Sequence, residues 1–92
     1  MALYMVVALG VSAPLVDAAI QQKFDLNCFR IDPGRWFISS TLQTAKDVSD
    51  TIGITTDVPG GVTIMTGIVV SVKGYFGRGP NNMWEWVAAN YS

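Results

Sequence analysis

Residues Leu3 to Leu9 form an unbroken apolar, β-rich run with no polar alternation, and Gly10 closes it. A strand that faces water on one side alternates apolar and polar residues. A run without alternation marks a strand covered on both faces or central in its sheet. Whatever else the chain builds, it must supply that cover. The same stretch is a poor leader peptide, because it lacks a positively charged start and Pro14 would follow the cut at Ala13. It is also shorter than the roughly 20 apolar residues of a membrane span.

After Gly10, Ser12 offers an N-cap and Pro14 falls in a first helical turn, where a missing N–H is harmless. Leu15, Val16, Ala19, Ile20 and Phe24 recur at helical spacing, with Asp17, Gln21, Gln22 and Lys23 on the other face, so an amphipathic helix of about three turns is expected. Leu26 to Ile31 and Arg35 to Ser40 read as two strands joined by Asp32-Pro33-Gly34, a turn in which proline presets φ and glycine supplies a positive one. In the second of these strands Trp36 and Ile38 share one face; Arg35, Phe37 and Ser39 take the other. Thr44-Ala45-Lys46-Asp47 resembles a capping box, Leu42, Ala45, Val48 and Ile52 follow at helical spacing, and Gly53 is a C-cap glycine. Thr55 to Gly61 reads as a loop. Gly67 to Lys73 is the next core strand, with Ile68, Val70 and Val72 inward and Val69 outward. Val62 to Met65 is either a short edge strand or the start of that one. Gly74 to Asn82 is a glycine-rich loop, and Asn82 caps a last helical turn or two through Met83, Trp84, Glu85, Trp86 and Val87.

Strand, helix, strand, strand, helix, strand is the order of a ferredoxin-like β-α-β-β-α-β α+β sandwich with a short C-terminal helical tail, occupying residues 1–92 as one domain. Right-handed crossovers would put both main helices on one sheet face. Half of the 92 residues are apolar and only 14% are charged, more apolar surface than one small globule can bury. The expectation is a second copy covering the bare sheet face, because two-fold homodimers are the commonest soluble oligomers. Phe37 and Val69, with Tyr75, Phe76, Trp84 and Trp86 of the aromatic tail, are the candidates to meet that partner. The two tryptophans at i and i+2 do not share a helical face, so one is expected on the domain and the other on the partner.

Chemistry is constrained by what is missing. The chain has no histidine and one cysteine, Cys28, which removes His-dependent nucleophilic catalysis, most zinc sites and any internal disulfide. A lone cysteine in an apolar run reads as a small core residue in a reducing, cytoplasmic compartment. The seven acids are scattered along the chain, so no metal site is expected. Asp47 and Asp50 are three apart and read as a solvated helix face. Gly74 to Gly79 lacks the lysine and the strand–loop–helix setting of a phosphate loop; Arg78 there is a candidate contact, with Tyr75 and Phe76 beside it. A net charge of −1 is not the footprint of bulk nucleic-acid binding. Arg30, Arg35 and Lys73 remain candidates for a weak nucleic-acid surface if their strands share a face.

The first apolar strand, the run Arg35-Trp36-Phe37-Ile38-Ser39-Ser40-Thr41, the helix from Thr44 to Ile52 and the closing Val69-Val70-Ser71-Val72-Lys73-Gly74-Tyr75-Phe76-Gly77…Trp84-Glu85-Trp86 together resemble small ferredoxin-like proteins related to the CRISPR adaptation nuclease-like subunit. The resemblance covers about the last two thirds of the chain. It implies the same fold, homodimerisation by sheet packing and, in some members, metal-dependent nuclease activity. Those members carry an aspartate at the end of the first strand, whereas this strand ends Ala8-Leu9-Gly10-Val11. The expectation is therefore a non-catalytic homodimeric interaction module of mobile-element or defence-system origin, without cofactor, binding a protein or weakly a nucleic acid. A metal-dependent nuclease and a small-molecule-sensing regulatory domain are the alternatives, since this superfold hosts many functions.

Overall fold

The computed structural model describes residues 2–55 and 65–90. Along the chain they form β1 (Ala2–Ala8), α1 (Ala13–Phe24), a 3-10 turn (Asp25–Asn27), β2 (Cys28–Asp32), β3 (Arg35–Ser40), α2 (Ala45–Ile52), β4 (Gly67–Ser71) and α3 (Asn81–Asn90). The four strands make one antiparallel sheet in the order β2-β3-β1-β4. The two β-α-β units interleave: β3 lies between β1 and β2, and β1 lies between β3 and β4. The apolar run at the start of the chain is accordingly a central strand.

Several local expectations are met by visible contacts. Gly34 takes φ 79° in the β2–β3 turn and Gly53 takes φ 105° at the end of α2. The Asp47 amide donates to Thr44 Oγ1 at 3.1 Å, which caps α2. Ser12 behaves differently. Its hydroxyl makes no cap bond to α1 but accepts from the Thr66 amide at 2.9 Å and pairs with the Thr66 hydroxyl at 3.1 Å. It ties the start of α1 to the residue preceding β4, a long-range contact that no local pattern encodes.

Each face of the sheet has its own core. On one face Tyr4, Val6, Trp36 and Ile38 meet Val16, Ile20 and Phe24 of α1 and Val48 and Ile52 of α2. On the other, Leu3 and Phe37 meet Met83 and Val87 of α3, with Met5, Phe29, Ile31, Val72, Trp84 and Trp86 packed around them. The bare sheet face expected from the sequence is therefore covered, at least over its centre, by the chain's own C-terminal helix. That helix runs for ten residues rather than a turn or two, because Met83 and Val87, four apart, both find apolar surface to bury.

The faces of β4 also differ from expectation. Val69 lies opposite Val6 and packs against the α1/α2 core, whereas Ile68 and Val70, opposite Val7 and Met5, lie on the α3 side. They remain 50% and 45% exposed. The alternation within β4 was readable from the sequence; which set faces the main helices depends on its register with β1. The expected loop through Pro59-Gly60-Gly61 and the strand considered for Val62 to Met65 lie outside the described residues, apart from their ends at Thr55 and Met65.

Candidate interaction surface

The loop from Gly74 leads back over the α3 side of the sheet, and α3 then crosses it. Between them lies a groove of about 400 Å³, with Met5, Ile31, Phe37, Met83 and Trp84 as apolar lining. Asp32 and Arg78 add one charge of each sign, and Gly77, Gly79 and Pro80 form the loop wall. The loop approaches closely at Gly79, where a Cβ would stand 2.7 Å from the Met83 methyl. Tyr75 stacks on Trp84 with ring centroids 5.7 Å apart and planes 18° from parallel. Phe76, one residue before the loop wall, is fully exposed.

Of the residues singled out in the sequence, Phe37, Arg78 and Trp84 line this groove and Tyr75 reaches it through the Trp84 stack. Phe37 is buried beneath α3 rather than offered outward. Trp84 and Trp86 both pack on their own domain, Trp86 against Phe29 with centroids 5.9 Å apart. Both tryptophans are half-buried on their own domain, and Trp84 also lines the groove. Val69 lies on the opposite face and takes no part. Reading the sequence missed Met5, Ile31 and Met83 as lining residues. Met83 and Val87 at helical spacing were the available signal.

Arg30 and Arg35 do not converge. Arg30 turns toward α1 and meets Asp17 at 3.4 Å, whereas Arg35 pairs with Asp32 at 3.4 Å beside the β2–β3 turn. Asp17 itself accepts from the Gly34 amide at 2.9 Å and from the Trp36 indole N–H at 2.6 Å. This carboxylate fastens α1 to the hairpin; the sequence suggested only a helix-surface residue. A shallow depression of about 240 Å³ lies over that junction, lined by Asp17, Ala18, Gln21, Arg30 and Trp36.

Other acids are likewise engaged in structure: Asp50 pairs with Lys46 at 2.8 Å, and hydrogen bonds from Lys46 and Thr55 hold its carboxyl below the ordinary range. Among the described residues no three His, Cys, Asp or Glu side chains gather into a metal-holding group. Cys28 is half-buried and its thiol donates to the Asp25 carbonyl at 3.1 Å. Burial, then the Asp25 charge, push that thiol up, the direction that keeps it protonated and unreactive. No described helix is long and apolar enough to cross a membrane. Comparison with protein-family models, curated proteins and solved structures found no match.

Proposed function

We propose that this chain is a non-catalytic, homodimeric interaction module that recognises another protein through the α3 side of its sheet. The reading is carried by the groove, where Tyr75, Arg78 and Trp84 gather around an apolar floor beside a fully exposed Phe76. Tryptophan, tyrosine and arginine around a pocket are the composition of interface hot spots. An apolar side chain of a partner segment fits the floor, and Asp32 and Arg78 meet polar groups on either side of it. The spread of Arg30 and Arg35 over different parts of the sheet weighs against a nucleic-acid surface.

Three further readings accompany this one as proposals. The fold is ferredoxin-like, supported by the interleaving of two β-α-β units in one antiparallel sheet. Kinship with proteins related to the CRISPR adaptation nuclease-like subunit rests on the motifs around Trp36 to Thr41 and Trp84 to Trp86. A cytoplasmic setting follows from the unpaired cysteine.

Selection of a displayed random-peptide library on the purified protein tests the groove. Peptides sharing one apolar anchor should be enriched, and Arg78→Ala and Trp84→Ala should each weaken their binding by about tenfold or more. Binding that ignores both substitutions, or no enrichment at all, would overturn the groove as the site. Chelator-sensitive cleavage of RNA or DNA would favour the nuclease instead.

A further inference from the structure

The sheet has two edges, and they are built differently. Along β2 the ladder is broken by a register shift between Arg30 and Asp32, and Pro33 follows directly. Charges, proline and bulges are the devices by which proteins keep an exposed edge from pairing with another chain. β4 has none of them: Gly67-Ile68-Val69-Val70-Ser71 is uncharged, contains no proline and pairs with β1 in unbroken register.

The backbone of β4 can be assigned residue by residue. The Val72 amide donates to the Leu3 carbonyl at 2.9 Å and the Leu9 amide to the Thr66 carbonyl at 3.0 Å. Because antiparallel pairs alternate between bonded and non-bonded, the backbone groups of Ile68 and Val70 also point at β1. Those of Gly67, Val69 and Ser71 point away from it. Among the described residues no strand takes them up.

We propose that this edge pairs antiparallel with the β4 edge of a second copy, about a two-fold axis at Val69. That register suits the strand on three counts. Val69 bonds the partner subunit's Val69, and Gly67 bonds the partner subunit's Ser71, so every outward group of the strand is used. Ile68 lies beside the partner subunit's Val70 on the α3 side, which joins four half-exposed apolar side chains into one patch. Lys73 falls opposite the partner subunit's Met65 rather than opposite its own copy, so no like charges meet. Self-complementarity of this kind is what an isologous contact requires. With five residues a side, against roughly 20–30 in a standard interface, the dimer is reversible and depends on concentration.

This inference rests on the homodimer reading above, and sedimentation equilibrium over a range of concentrations separates the two. The wild-type chain should show a monomer–dimer equilibrium. Ile68→Lys with Val70→Lys puts lysine opposite lysine at both pairs and should weaken the dimer by about tenfold. Ile68→Glu with Val70→Lys puts glutamate opposite lysine and should dimerise nearly as well as wild type. Both positions changed are half-exposed, and circular dichroism checks the fold. A dimer indifferent to both variants overturns the β4 edge but leaves the homodimer. A monomer throughout overturns both. Amide exchange in the wild-type chain gives a check without variants. The Val69 and Ser71 amides should gain protection as concentration rises, and protection independent of concentration would mean that one chain already covers its own edge.

Discussion

The two faces of the sheet are covered by different means. Against α1 and α2 the sheet places Tyr4, Val6, Trp36 and Ile38, and the Asp17 carboxylate ties helix to hairpin from within. The Tyr4 hydroxyl is satisfied there too, donating to the Leu42 carbonyl at 2.7 Å. On the other face a single helix covers only the middle. It buries Leu3, Phe37, Met83 and Val87 but leaves a groove along one flank and Ile68 and Val70 half-exposed along the other. Even a hydroxyl on that side, Ser39 Oγ, is buried without a hydrogen-bond partner. The difference separates two tasks. The closely packed face holds the fold together, and the loosely covered face carries the surfaces proposed for a partner.

The largest effect should come from the packed face. Trp36 is 2% exposed and its indole N–H meets Asp17. Trp36→Ala should lower stability by about 3–5 kcal/mol in urea melts, enough to unfold much of a chain this short. A smaller and more discriminating pair is Val48→Ala and Val87→Ala, the same chemical change at two side chains that are both fully buried. Val48, on α2, is one of ten buried residues that form its core, whereas α3 rests on one surface and can settle into the space. The first should cost about 2 kcal/mol and the second about 1 kcal/mol; equal values would dissolve the comparison.

The smallest effects should differ in sign. Tyr4→Phe strips the Leu42 carbonyl of its phenol donor and should destabilise by about 1–2 kcal/mol. Ser39→Ala removes a hydroxyl that has no partner and should be neutral or stabilising by up to about 1 kcal/mol. Tyr4 also sets a pH dependence. Burial, then the charge of Asp47, raise its pKa above the ordinary 10.0. A raised folded pKa gives stability that is fully present below the ordinary value and lost as pH climbs toward the folded one. Wild-type melts should therefore fall off above about pH 10 more steeply than those of Tyr4→Phe, and parallel curves would remove Tyr4 as the cause.

Most of the element order was legible because it rests on local chemistry. The Asp32-Pro33-Gly34 turn, the Thr44 cap and the Gly53 terminus each work through residues within a few positions of one another. What was not legible depends on register and on distant partners. The side of the sheet that Val69 faces is set by its pairing with Val6, and Ser12 finds Thr66 rather than the start of its own helix. The covering of the second face was half-written in the sequence. An unbroken apolar run from Leu3 to Leu9 demands cover on both sides, and Met83 and Val87 at helical spacing supply it for Leu3. Composition alone pointed to a bare face awaiting a partner. The groove escaped the sequence reading because it is a space between a loop and a helix, and only folding brings Ile31, Phe37 and Trp84 around it.

The division between the two faces is tested most directly by methyl NMR spectra of the wild-type chain recorded as its concentration is raised. The account predicts that the Ile68 and Val70 methyl signals move progressively, while those of Val16, Ile20, Val48 and Ile52 stay where they are. Shifts confined to the α1/α2 core, or spread evenly over both faces, would contradict it.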